Sequence, residues 1–398
     1  MTIDWNHESE LDAEIRFEQP LTTHADDPEV VLLTGVTGFL GAYLLDELLR
    51  RTRARVVCLV RAPDPTQGYD VVRAHLDRLR LEQPLRGARV AVVCGDLAKP
   101  RLGMSPAGYD ELADTVDVVV HAGAHVHFLR PYTGLRATNV GGTEQLLRLA
   151  ATRQTKPFHY ASSLALFVGR VHERVSERDV PAVDTLKTGY AQSKWVAERK
   201  IQQASRRGLP TAIYRLARIG GHSKTGVTCS WHDLFNRLIR ACVILGSYPR
   251  LSAEFAVVPV DYASCAMVEL LRRRGSWGGV FHLVNPRPLA WLELVRTLEE
   301  LGYPMVEREY GEWLALLKRT AGQAQAERET LARLWMALDS NRTRFLHRPT
   351  YQRSQSEALL AGSGIACPEL GAEIIENYVK FFISAGYLPA PTGTRGRW

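Results

Sequence analysis

Val30-Val31-Leu32-Leu33-Thr34-Gly35-Val36-Thr37-Gly38-Phe39-Leu40-Gly41 falls into three parts. The β-branched and aliphatic run to Thr34 reads as a strand buried on both faces, and Leu40, Tyr43, Leu44 and Leu48 recur at the spacing of an amphipathic helix. The glycines occupy the turn between them. Gly35 permits a tight turn, Gly38 lets a diphosphate approach the backbone, and Gly41 lets the helix pack on the strand. With a helix N-terminus to receive the anion, Gly35, Thr37, Gly38, Phe39, Leu40 and Gly41 are the expected phosphate-binding residues of a dinucleotide site.

The spacing is G-x-x-G-x-x-G, usual in short-chain dehydrogenase/reductase folds of the extended type. A second strand, Arg55 to Arg61, arrives where a βαβ unit requires it. The alternation continues with a helix within 69–81, strands over 89–95 and 116–122, a helix within 135–152, a strand over 157–163, a helix over 185–206 and the strand Thr211 to Leu216. Such alternation predicts an α/β fold, a Rossmann-type doubly wound parallel sheet covered on both faces. After 216 the rhythm loosens into helical stretches over 230–245, 260–274, 289–301, 310–337 and 368–385, with Val280 to Val284 returning to the sheet edge. The expected organisation is a leader over 1–28, a dinucleotide-binding domain over 29–216 rejoined by 255–284, and a mainly helical substrate subdomain from 217–254 and 285–390.

Composition allows this. The chain of 398 residues is 45% hydrophobic and 23% charged, enough for a large core. No apolar run approaches the length of a membrane span, and the acidic N-terminus does not resemble a signal peptide, so a cytoplasmic protein is expected. Six cysteines without metal-type spacing read as reduced thiols, with no structural metal. The net charge of +7 is unevenly spread: residues 1–28 hold eight acids and one base, residues 199–250 ten bases and one acid, Asp233. The leader reads as a strap on the surface. The second segment reads as a basic surface for an anionic partner, and nucleic acid is not that partner, because no nucleic-acid-binding motif accompanies the charge.

Residues at the ends of the strands refine the site. Arg61 closes the second strand, where an acid would bind a ribose hydroxyl and a cation suits a 2′-phosphate, so it points to NADPH. Arg73 is a second candidate for that phosphate. Asp96, followed by Leu97, ends the third strand and is placed to accept from the adenine amino group; Ala122, Gly123 and Ala124 end the fourth and leave room along the sheet edge. Ser163 ends the strand over 157–163, and Tyr190 and Lys194 stand four apart on one helix face. A lysine ammonium lowers a phenol's pKa, making Tyr190 a proton donor to a carbonyl oxygen that Ser163 holds. Lys194 is also expected to support the nicotinamide ribose.

These residues carry a family resemblance. Leu33 to Gly41, Val118 to Tyr132, Thr138-Asn139-Val140-Gly141-Gly142-Thr143, Tyr160-Ala161-Ser162-Ser163, Gly189-Tyr190-Ala191-Gln192-Ser193-Lys194-Trp195 and Val258-Pro259-Val260-Asp261-Tyr262 resemble the thioester reductase domains that terminate nonribosomal peptide synthetases and carboxylic acid reductases. The resemblance spans roughly residues 10–386, and Leu11 to Ile15 looks like the sequence that leads in from a carrier domain. It implies NADPH-dependent reductive release of an acyl or peptidyl thioester, held on the phosphopantetheine arm of a carrier protein, as an aldehyde or onward to the alcohol, by a monomer or by part of a larger synthetase. Acyl-CoA is a variant substrate. Two positions depart from the family: His127-Phe128 stands where Asn-Phe is frequent, and Leu216-Ala217 follows Arg215 where Pro-Gly is common. A nucleotide-sugar epimerase or dehydratase shares the triad but tends to hold NAD with an acid at the end of strand two. A cofactor-sensing protein without catalysis is the other alternative.

Overall fold

A computed structural model describes residues 3–391 apart from 23, 25–26, 82–87, 171–172, 230, 232, 324–330, 333, 336–337 and 339–348. Its centre is a seven-stranded sheet of β1 (Val30–Thr34), β2 (Arg55–Val60), β3 (Val90–Cys94), β4 (Val118–His121), β5 (Phe158–Ser163), β6 (Thr211–Leu216) and β7 (Gly279–Leu283). The spatial order is β7-β6-β5-β4-β1-β2-β3, and every neighbouring pair is parallel. The chain reverses its direction of travel between β1 and β4, the place where open α/β sheets form a ligand crevice.

Alternate strand residues point to opposite faces. Val31, Leu33, Val56, Cys58, Val118 and Val120 join one core cluster with α2 (Phe39–Arg51), α3 (Pro65–Arg78), α8 (Val260–Leu271) and the C-terminal helices. Leu32, Val57, Leu59, Val119 and Phe158 join the other, with α4 (Pro106–Thr115), α5 (Gly142–Ala151) and α6 (Gly189–Arg206). The helix α4 falls where the sequence reading ran directly from strand to strand. β3 lies at the sheet edge and β4 beside β1, so parallel pairing demands a crossover; Ser105 caps α4 and Pro106 opens it. The C-terminal helices are α7 (Leu234–Leu245), α9 (Trp291–Glu300), α10 (Tyr310–Gln323), α11 (Ser354–Leu360) and α12 (Ala372–Ser384). Most of the expected helix beyond Gln323 lies outside the described residues.

Two expectations about charge are corrected. The leader is no mere surface strap: after α1 (Trp5–Ser9), Leu11 and Ile15 are fully buried. Arg207 donates to the carbonyls of Leu11, Asp12 and Ile15, Gln203 binds Ser9 and Leu11, and Lys200 bonds the carbonyl of Glu10 and the carboxylate of Glu144. Residues 199–250 are likewise not a free basic face. Arg215 pairs with Glu198, Arg218 with Asp233, and Arg250 with Glu307 and Glu309. Much of the segregated charge therefore finds its complement inside the molecule.

No helix among the described residues is long and apolar enough to cross a membrane. All six cysteines are free, and the described residues hold no cluster of three or more His, Cys, Asp or Glu suited to a metal.

Candidate functional site

The glycine turn at the end of β1 is built by close approach. Gly35 has φ +82°, and a Cβ there would lie 2.6 Å from the amide nitrogen of Gly123 and 2.7 Å from the carbonyl carbon of Ala122. A Cβ at Gly41 would lie 2.0 Å from the Gly35 carbonyl oxygen. The first contact presses the β1–α2 turn against the end of β4, and the second packs the start of α2 onto the turn itself. Thr37 and Gly38 face solvent at its tip. The first bond of α2 runs from the Ala42 amide to the Gly38 carbonyl at 3.0 Å, no side chain caps the helix, and its first turn carries no acid. The amides ahead of Ala42 therefore have no intrahelical partner. This open, positively polarised terminus fits a dinucleotide diphosphate.

The other expected cofactor residues ring the same sheet edge. Arg61, exposed past the end of β2, makes no hydrogen bond or ion pair among the described residues, and its charge reaches His125. Arg73 stands on the exposed side of α3, paired with Asp70. Asp96 uses one carboxylate oxygen on the Ala98 amide at 3.0 Å, and the other has no partner among the described residues. Leu97 packs so closely that a Cβ on Gly142 would lie 2.7 Å from its own, and Ala122 and Ala124 are half-buried beside Gly123.

Ser163 and Tyr190 come together. Ser163 ends β5 and accepts the Ala165 amide at 3.1 Å, keeping its own proton to donate. Tyr190 opens α6 behind the Thr188 cap. Burial pushes its phenol up to about 12, and the hydrogen bond from Ser163 pulls in the opposite direction. Lys194, also on α6, is buried; burial lowers it to about 7 while Glu198 raises it. Its Nζ donates to the Ala161 carbonyl at 2.8 Å and lies 4.5 Å from the centroid of the Tyr160 ring. Ser163 is thus a residue whose hydrogen bond eases Tyr190 toward ionisation. Gly189 leads into the helix with no room to spare: a Cβ there would lie 2.3 Å from the Tyr132 amide nitrogen.

Two supporting networks escape sequence reasoning. In the first, Thr34 Oγ1 accepts the Gly123 amide at 3.0 Å and lies 2.7 Å from His121 Nδ1, while His121 Nε2 lies 3.1 Å from Thr143 Oγ1. Thr143 gives its proton to the Asn139 carbonyl at 2.7 Å, so it accepts from Nε2–H and Thr34 donates to Nδ1. Burial holds the His121 ring neutral, lowered to about 3. The Asn139 side chain then donates to Ser193 Oγ at 2.9 Å, and Ser193 donates to the Tyr190 carbonyl at 2.8 Å. The glycine turn and the Tyr190 helix are thereby joined by one chain of hydrogen bonds.

In the second, Glu198 lies one turn beyond Lys194. It receives Arg215 Nη2 at 2.8 Å and Nε at 3.1 Å, and the Ser162 hydroxyl. Ser162 and Ser163 thus divide: the first braces Glu198, the second faces Tyr190. Arg215 also donates to the Asp179 carbonyl at 2.9 Å. The Leu216-Ala217 departure continues the sheet, with Leu216 in register between Ser163 and Leu283 and the Ala217 amide bonded to the Leu283 carbonyl at 3.0 Å. The spacing Tyr190, Lys194, Glu198 was the available signal for this network.

Residues 33–267 match the family described as Male sterility protein, an NAD-binding domain family. The chain is 37% identical over 390 residues to a linear gramicidin synthase polypeptide of Brevibacillus parabrevis, covering 97% of this chain and 8% of that protein. It is 38% identical over 395 residues to the isonitrile lipopeptide synthase of Streptomyces coeruleorubidus, covering 97% of this chain and 26% of that protein. It therefore spans only a small part of these curated relatives. The solved terminal R domain from the myxalamid PKS-NRPS biosynthetic pathway superposes with a TM-score of 0.92 at 36% identity, covering 98% of this chain and 99% of that one. The chain belongs to the Male sterility protein family of NAD-binding oxidoreductases, among the terminal reductase domains of nonribosomal peptide synthetases.

Proposed function

We propose that the protein uses NADPH to release an acyl or peptidyl chain, tethered as a thioester to the phosphopantetheine arm of a carrier protein, as an aldehyde. The observation that carries this reading is the convergence of Ser163 and Tyr190 at the same sheet edge as the uncapped N-terminus of α2. Arg61, without a hydrogen-bond or ion-pair partner among the described residues at the end of β2, supports a 2′-phosphate and argues against an epimerase that holds NAD through an acid. Arg73, already paired with Asp70, is the secondary contact.

The turn from Gly35 to Gly41 would hold the diphosphate, Arg61 the 2′-phosphate, and Asp96 the adenine. A reduced nicotinamide supplies a hydride for a carbonyl carbon. The protein's residues manage the oxygen. As the carbonyl becomes tetrahedral, Tyr190 gives its proton to the developing oxyanion, and Ser163 donates a second hydrogen bond that holds that oxygen beside the phenol. A phenol kept protonated by burial suits a donor. Lys194, fixed to the Ala161 carbonyl, supplies positive charge behind the pair. Collapse of the hemithioacetal then breaks the C–S bond, leaving aldehyde and free thiol. A second cycle on the aldehyde gives the alcohol.

Tyr190→Phe tests the assignment. It is expected to reduce NADPH oxidation with an acyl thioester by at least about a hundredfold while NADPH still binds, as followed by fluorescence titration. Turnover close to wild type removes Tyr190 from the chemistry.

A further inference from the structure

The loop from Ala124 to Pro131, which follows β4, concentrates exposed apolar surface. Val126 is 57% exposed, Phe128 49% and Leu129 84%. Phe128 meets the Tyr190 ring edge-on, with centroids 5.3 Å apart and planes at 66°. Apolar side chains gathered in the open at a functional site mark a binding surface, and this one is continuous with the proton donor.

The bend that presents these side chains is closed by one imidazole. His127 Nδ1 accepts the backbone amide of Leu129 at 3.3 Å and that of Arg130 at 3.1 Å. A side-chain acceptor bonding the amides two and three residues ahead is the arrangement by which asparagine closes a turn. The departure from Asn-Phe to His127-Phe128 therefore keeps an acceptor in place. The loop is anchored on its other side: the His125 amide donates to Asn139 Oδ1 at 2.7 Å, and the His125 carbonyl accepts Asn139 Nδ2 at 3.1 Å.

We infer that His127 is a positioning residue whose cap holds Phe128 against Tyr190, and that the loop it shapes, with Val126 and Leu129, is the wall that receives the apolar acyl carbons next to the thioester carbonyl. This rests on the thioester-reductase reading above. Substrate with its carbonyl at the Tyr190 hydroxyl has its acyl carbons beside the ring packed on that tyrosine. A cap that only set the loop's shape for folding would leave chain-length preference untouched.

The test compares wild type, His127→Asn, His127→Ala and Phe128→Ala on octanoyl and acetyl thioesters of pantetheine, with NADPH oxidation as the readout and urea midpoints as the folding control. Loss of one turn cap is expected to raise the octanoyl KM of His127→Ala about fivefold, with a smaller change in kcat and in the KM for NADPH. His127→Asn restores the acceptor and is expected to stay within about twofold of wild type. Phe128→Ala raises KM for octanoyl more than for acetyl. An unchanged octanoyl KM in His127→Ala, or His127→Asn failing as Ala does, overturns the inference. Wild type that turns over neither thioester overturns the reductase reading itself, and this inference with it.

Discussion

Glu198→Gln is a demanding perturbation, because Glu198 stands between the catalytic helix and a buried cation. Its carboxylate takes Arg215 Nη2 at 2.8 Å and Nε at 3.1 Å, and both side chains are shielded from solvent. An amide of equal size leaves the Arg215 charge buried with the Asp179 and Glu177 carbonyls and His282 as its neighbours. Removing one partner of a buried pair costs about 3–5 kcal/mol, a large part of the roughly 5–15 kcal/mol that holds a domain folded. Replacing both, as Glu198→Gln with Arg215→Met, removes the stranded charge. The double variant is therefore expected to be more stable than the sum of the two single losses allows, by at least about 1 kcal/mol in a urea-denaturation cycle. The same substitution removes the Glu198 charge that raises Lys194 against burial. Lys194 then loses its proton at lower pH, so the alkaline fall of kcat moves below that of wild type. Additive single losses within about 0.5 kcal/mol, together with an unmoved alkaline limb, refute the reasoning.

Arg61→Ala removes the exposed cation at the end of β2 and is expected to lower the kcat/KM preference for NADPH over NADH about tenfold or more, the worth of one charge-assisted bond to phosphate; an unchanged preference removes Arg61 from that role. His121, His159 and His282 are each lowered to about 3 by burial. Their folded pKa lies below the ordinary value of 6.5, so the unfolded chain binds more protons as pH falls. The stability they hold is complete above about pH 6.5 and lost toward pH 3, at up to about 1.4 kcal/mol per pH unit for each ring. Urea midpoints should therefore fall between pH 7 and pH 5, and equal midpoints contradict the burial argument.

The succession of strands along the chain and the glycine turn were legible because both are written in local pattern: aliphatic runs for buried parallel strands, glycines where backbone crowds backbone. Ser163 and Tyr190 were legible through fixed spacing at the ends of such elements. What stayed hidden depends on which distant residues meet. The helix Pro106–Thr115 carries its own Ser-Pro opening, yet only the sheet order makes a crossover there necessary. Charge counts along the chain showed an acidic leader and a basic segment, but not that Arg207, Lys200 and Gln203 bind the leader itself. Spacing placed Lys194 on the Tyr190 face, but carried no sign that its ammonium bonds the Ala161 carbonyl. The relay from Thr34 through His121, Thr143, Asn139 and Ser193 joins residues from two strands and two helical segments, and no single stretch carries its signature.

The central claim is tested most directly by the product of a single turnover. Purified protein is mixed with NADPH and an octanoyl thioester on a phosphopantetheinylated carrier protein, and the quenched mixture is analysed for octanal, octanol, octanoic acid and free carrier thiol. The account predicts octanal, or octanol after a second cycle, with one carrier thiol freed per acyl chain and NADPH consumed in proportion. Octanoic acid without NADPH consumption, or an intact thioester despite bound NADPH, would contradict it.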